Sequence, residues 1–182
     1  MKKVLLTTIA TLMAAPVFAS DFNYTYIDFG YVRADGAPDF DGFELEGSWG
    51  FGGNWVVDLD YIDGSQDITD WELGFGFHFP VDSGIDGIFR VNYEDFEVGT
   101  AEGDGFGLDL GLRGNLGDMM EWTAGHSFRD TEFDDGGPEV NDNFVYMGVQ
   151  YNAANNFSYG VDVEMSNANL GDVYNIYGRY NF

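Results

Sequence analysis

From Phe43 to Phe51 the chain alternates with a period of two. Phe43, Leu45, Gly47, Trp49 and Phe51 fall on one side, and Glu44, Glu46, Ser48 and Gly50 on the other. The pattern returns from Trp55, where Asp58 and Asp60 separate Val57, Leu59 and Tyr61. It returns again from Trp71, where Leu73, Phe75, Phe77 and Phe79 alternate with Glu72, Gly74, Gly76 and His78. Phe106 to Leu112 opposes Asp109 and Arg113, and Phe157 to Met165 opposes Asp162 and Glu164. Successive side chains of a strand point to opposite faces, whereas a helix repeats roughly every 3.6 residues. The pattern predicts strands with one apolar and one polar face.

Weaker alternation completes the set. Residues 22–33 place Ile27, Phe29 and Tyr31 against Asp28 and Gly30, and residues 87–96 place Phe89, Val91 and Tyr93 against Arg90 and Glu94. Residues 119–129 set Trp122, Ala124 and Phe128 against Glu121, Thr123 and Arg129, which leaves His126 among the apolar side chains. Segments 144–151 and 173–182 bring the count to ten strands, with eight as the alternative. Four connections are Gly/Asn turns: GFGGN, PVDSGID, GNLGD and NAANN. The other five are acid-rich and read as longer loops: ADGAPD, DGSQD, EVGTAEGD, DTEFDDGGPEVND and NANLGD.

Alternation alone does not say which face points inward. A soluble lipocalin-like barrel keeps the apolar face inside, and an outer-membrane barrel turns it to lipid. Four observations favour lipid. The polar face carries many acids, including Asp70, with Arg90, Arg113, Arg129 and Arg179 as its cations and no lysine. Arginine alone suits confined, bidentate pairing with carboxylates. Glycine is frequent on the polar face, where a narrow interior needs small residues. Aromatic residues cluster near strand ends, as interfacial girdles require. The strand number is even, with short turns on one side.

The first residues fit a secretory signal. Met1-Lys2-Lys3 is a short basic start, Val4 to Ala15 is apolar, and Val17-Phe18-Ala19 fits a cleavage site. This predicts a cleaved segment 1–19 and one barrel domain over 20–182. The full chain has a formal net charge of -25, five arginines after Lys2 and Lys3 depart, and no cysteine. Such acidity excludes nucleic acid as a partner.

The terminal strand carries Tyr174, Ile176, Gly178, Tyr180 and Phe182 on its apolar side. With the signal segment, the strand NYTYIDFGYV and the alternating segments, it resembles the small outer-membrane β-barrel proteins of Gram-negative bacteria, the OmpA-like and OmpX-like, porin-like barrels. The resemblance spans the predicted domain. It implies an all-β, antiparallel up-and-down transmembrane barrel in the cell outer membrane, with no cofactor and a monomeric state. It also implies partners: membrane lipid and lipopolysaccharide, and the assembly machinery that reads a terminal aromatic strand. The Gly/Asn turns then face the periplasm, with Asp82, Asp86 and Asp118, and the acid-rich loops face outward.

The candidate chemistry lies in the lumen. Asp28, Glu44, Glu46, Asp58, Asp60, Glu72, Glu94, Asp109, Glu121, Asp162 and Glu164 would share it with Arg90, Arg113, Arg129 and Arg179. These form either an ion-paired network without conduction or a narrow cation-preferring path. The first is preferred, because unpaired charge in a low-dielectric interior is costly. Segment 130–137, DTEFDDGG, resembles a calcium loop but has Asp135 where glycine is needed and Asn141 at the twelfth position. Weak divalent-cation binding at the outer loops is the corresponding expectation. Enzymatic readings fail on the histidines. His78 lies at the periplasmic end of its strand, and Phe128 replaces the serine that a lipid-A deacylase pattern from His126 would need. The expectation is a non-enzymatic structural or surface barrel or a narrow pore, with adhesion as an alternative.

Overall fold

The structure is a computed structural model that describes residues 22–36, 39–134, 136, 140–153, 156–166 and 171–182. Segment 1–19 and its cleavage point lie outside the described residues. Ten strands run in order: β1 (Tyr26–Asp35), β2 (Phe40–Phe51), β3 (Trp55–Gly64), β4 (Ile68–Asp82), β5 (Ile85–Val98), β6 (Ala101–Asn115), β7 (Met120–Phe133), β8 (Val140–Asn152), β9 (Phe157–Ser166) and β10 (Asp172–Asn181). Each pairs antiparallel with its neighbours in sequence, and β1 pairs with β10 to close the barrel.

The apolar face is outward. Phe29, Trp49, Leu59, Phe106 and Ile176 are exposed, while Asp28, Asp58, Asp109 and Arg179 are buried inside. A soluble barrel would show the reverse. Closure satisfies the strand backbone within the sheet, which is what a lipid setting demands. Outward aromatics stack along the wall: Trp55 on Phe75 at 5.2 Å, Trp71 beside Tyr93 at 5.4 Å, and Tyr180 edge-on to Phe182 at 5.2 Å. Two outward aromatics lie over glycines on the neighbouring strand, Phe79 over Gly87 and Trp122 over Gly114. His126 is also on this face, 4.3 Å from the Phe128 ring.

Three expectations change. First, the opening strand starts at Tyr26, not residue 22; Phe22 and Tyr24 are buried with Val56 in a small apolar cluster. Second, among the described residues two of the acid-rich segments, 97–104 and 130–142, are largely strand. β5 and β6 meet at Gly99-Thr100, and β7 continues to Phe133, so Asp130 and Glu132 of the calcium-like segment are strand residues that face outward. Third, Asp86 is not in a periplasmic turn. The hairpin turns at Ser83-Gly84, where Gly84 has φ 72°, and Asp86 on β5 is buried.

The longer strands reveal a change of phase. A membrane-spanning strand needs about 9–11 residues, and β4 and β6 have 15 each. At the outer ends of β1 and β5, polar and apolar faces exchange. On β1, Tyr31 faces out but is followed by buried Val32, exposed Arg33, buried Ala34 and exposed Asp35. On β5, Tyr93 faces out but Phe96 and Val98 face in, with Glu97 exposed. The outer end of the barrel is built like a soluble barrel, polar outside and apolar inside.

This division predicts different costs for arginine at two outward positions of β3. Leu59→Arg, in the middle of the apolar belt, should destabilise by about 2–4 kcal/mol, and Asp63→Arg, beyond it, by about 0–1 kcal/mol. Denaturant-dependent refolding into lipid vesicles measures both. Equal costs would contradict the belt boundary.

Candidate functional site

The lumen is the site, and strand register determines which side chains meet there. Partner residues across the sheet place Asp28, Glu46, Asp60, Glu72 and Glu94 side by side on β1 to β5. One row below, Ser48, Asp58, Gly74 and Asn92 stand in line. Like charges directly opposite across strands repel, so this row depends on cations from elsewhere in the barrel.

Four arginines supply them. Arg179 on β10 forks onto Asp28 with Nε donating to Oδ1 at 2.8 Å and Nη2 to Oδ2 at 2.6 Å. Its guanidinium lies 3.4 Å from the Tyr26 ring centroid. Arg90 reaches Asp58 at 3.4 Å and Asp109 at 3.7 Å. Arg129 lies among Glu164, Glu72 and Glu94 at 3.6, 3.8 and 4.0 Å, against the Phe144 ring. Arg113 meets Glu121 with Nε donating at 2.7 Å. Small residues make room: Tyr177 lies across Gly160 and Asp162 across Gly148, in space that a Cβ would fill.

Among the described residues, no arginine ion pair reaches Glu44, Glu46, Asp60, Asp70 or Asp162. Glu46 accepts a hydrogen bond from Tyr26 at 2.8 Å, and Glu44 accepts one from Asn175. The carboxyl groups of Glu44 and Asp60 meet. Asp60 Oδ1 and Asp70 Oδ1 are sealed from solvent without a hydrogen-bond partner. No group of three or more metal-ligating side chains converges among the described residues.

The periplasmic end is filled by the segment before β1. Tyr24 stacks on His78 with centroids 3.9 Å apart and donates to Asp86 Oδ2 at 2.9 Å. His78 Nδ1 is 3.2 Å from the same carboxylate oxygen. Arg113 packs against the rings of Phe22 and Tyr24 at 5.0 and 4.9 Å, and its Nη1 donates to the Asn23 carbonyl at 2.9 Å. Sequence reasoning missed this plug. The signal was parity: Phe22, Tyr24 and Tyr26 share the even positions of the inward Asp28. It also missed the inward Tyr146 and Tyr177, while Gln150 faces inward as its alternation predicts.

The closing strand places Tyr174, Ile176, Tyr180 and Phe182 outward and exposed, with Gly178 between them. Phe182 is 70% exposed, while its N–H donates to the Thr25 carbonyl and its own carbonyl accepts from Asn23 Nδ2. The end of the chain is thus tied to the plug.

No protein-family model and no curated protein matches the sequence. Similarity appears in the fold. The chain is similar to the KdgM porin structure at 13% identity and TM-score 0.53, covering 86% of this chain and 99% of that one. The KdgM porin in complex with disordered oligogalacturonate gives TM-score 0.54 at the same identity and coverage. The NanC porin gives TM-score 0.51 at 8% identity, covering 87% of this chain and 99% of that one. The chain has the fold of a porin-like outer-membrane β-barrel, and its apolar exterior suits a lipid bilayer.

The bidentate contact between β1 and β10 predicts a large penalty for breaking it on one side. Arg179→Met leaves Asp28 buried without its cation and should cost about 3–5 kcal/mol in unfolding free energy. Adding Asp28→Asn should recover part of the loss. A recovery absent from denaturant titrations of the folded double variant would refute the pairing as the cause.

Proposed function

We propose that this outer-membrane barrel encloses a narrow, cation-preferring passage held shut by ion pairs and by its own N-terminal segment. The observation that carries the proposal is the seating of Phe22 and Tyr24 inside the periplasmic end, between Arg113 and His78. Above that plug the lumen holds more carboxylates than arginines, which favours cations over anions. The ion pairs do structural work that a hydrophobic core does in a soluble protein, and they narrow the path. This reading assigns no catalytic step. His78 is occupied in the plug and His126 lies on the lipid face.

A surface role is the second reading. It is supported by the collar of outward acids beyond the belt, among them Asp63, Glu97, Glu102, Asp130 and Glu132. These are spread around the wall, which suits diffuse attraction of divalent cations better than a chelating site. We also assign Tyr174, Ile176, Gly178, Tyr180 and Phe182 to recognition by the barrel-assembly machinery, since the row is exposed and rich in aromatic side chains.

Planar-bilayer recordings of refolded protein should show small, cation-selective conductance. The double variant Phe22→Ala/Tyr24→Ala should raise it severalfold with cation preference retained. Anion selectivity, or no change in the folded double variant, would overturn the plugged-passage reading. Phe182→Ser should slow assembly of the heat-modifiable barrel in vivo while leaving refolding into detergent intact. Equal slowing in both would point to a stability role instead.

A further inference from the structure

The lumen contains a cavity of about 640 Å³ whose two ends differ in chemistry. Toward the outside its wall is apolar, formed by Phe40, Ile62, Ile68, Phe96, Val98 and their neighbours. The same strands turn Asp41, Asp63 and Glu97 outward at this level. The outward acids keep the protruding wall soluble. The inward apolar side chains need something to bury against. Phe40, Ile62, Phe96 and Val98 are only partly buried by the protein itself.

Carboxylates adjoin this wall directly. Ile62 on β3 is the register partner of Glu44 on β2 and of Asp70 on β4, and Asp70 in turn pairs with Phe96. The row with Asp60 runs immediately below. Glu44, Asp60 and Asp70 are three of the five acids that no arginine ion pair reaches, and Asp60 Oδ1 and Asp70 Oδ1 are sealed without hydrogen-bond partners. Glu94 lines the same cavity and is 9% exposed, and its Oε2 has no hydrogen bond. Its nearest cationic nitrogen is Arg129 Nε, at 4.0 Å. Buried carboxylate oxygens in this state are stabilised by an approaching cation.

From these features we infer that the outer half of the lumen is a binding site for a small amphipathic organic cation. Its ammonium group sits among Glu44, Asp60 and Asp70, and its apolar body lies against Ile62, Ile68 and Phe96. A purely inorganic cation satisfies the acids but leaves the wall unburied. A neutral hydrophobe does the reverse, and an anion meets only repulsion. The Phe96 ring adds the face that an ammonium group prefers. The site goes beyond the passage proposed above and does not depend on it, because binding from outside requires no conduction.

Calorimetric titration of the barrel in zwitterionic nanodiscs, with empty nanodiscs as blank, tests the inference. Benzyltrimethylammonium should bind saturably with one site per barrel. Tetramethylammonium and benzyl alcohol, each carrying half of the chemistry, should bind about tenfold more weakly or not at all. Asp60→Asn/Asp70→Asn, confirmed as folded by heat-modifiable mobility, should weaken benzyltrimethylammonium by about tenfold or more. Phe96→Ser should narrow the gap between benzyltrimethylammonium and tetramethylammonium. Absence of saturable heat, or equal binding of the three probes by the unaltered barrel, would overturn the inference whether or not the variants fold. An unchanged affinity in the folded Asp60→Asn/Asp70→Asn variant would overturn it as well.

Discussion

Closure of the sheet is the constraint on which the rest depends. A strand in lipid has no water to satisfy its backbone, so every edge must find a partner. The pairing of β1 with β10 removes the last edges. Once the sheet is closed, alternation leaves no freedom. Every second side chain must enter a narrow interior, and every other one must face hydrocarbon. The outward aromatics and the inward acids are two consequences of one geometric fact. The bidentate Arg179–Asp28 contact sits on this closing pair, where it joins first and last strands from inside.

The interior charge then poses its own problem. Acids on consecutive strands fall into one register row, and repulsion along such a row opposes the pairing that creates it. The arginines resolve this unevenly. Arg179, Arg90 and Arg129 cover Asp28, Asp58, Asp109 and the Glu72–Glu94–Glu164 group. Glu44 and Asp60 keep acids and amides as neighbours, and Asp70 has Arg129 nearby but forms no ion pair with it. Stability alone would favour amides or apolar residues there. The retention of carboxylates in that quadrant is easier to understand as function than as architecture.

Much of this was legible in the sequence because the physics of a strand is local. Period-two alternation, with Trp, Phe and Tyr near strand ends, located the ten strands and their sidedness. The register that put His126 on the apolar face holds, with its ring beside Phe128 on the lipid side. Features that require two segments to meet were not legible. Nothing in Phe22 or Tyr24 names His78, Asp86 or Arg113 as neighbours, because those contacts depend on how the closed wall curves over the chain's start. The arginine partners were equally hidden. Arg129 meets acids from β4, β5 and β9, which no one-dimensional pattern connects.

The change of phase at the outer end shows why an alternating pattern can be read correctly and still be stopped too early. At Tyr31-Val32 and again between Tyr93 and Phe96 the apolar residues move from one parity to the other. A strand reading that tracks a single apolar face ends there and assigns the acids beyond to a loop. The backbone does not end. It leaves the hydrocarbon, and the solvent on its outer side changes from lipid to water. Outward positions must then turn polar, and inward positions are released from the charged lumen to become apolar. The parity switch therefore marks the membrane surface, and it produces as a by-product an apolar chamber directly above a bed of unpaired carboxylates.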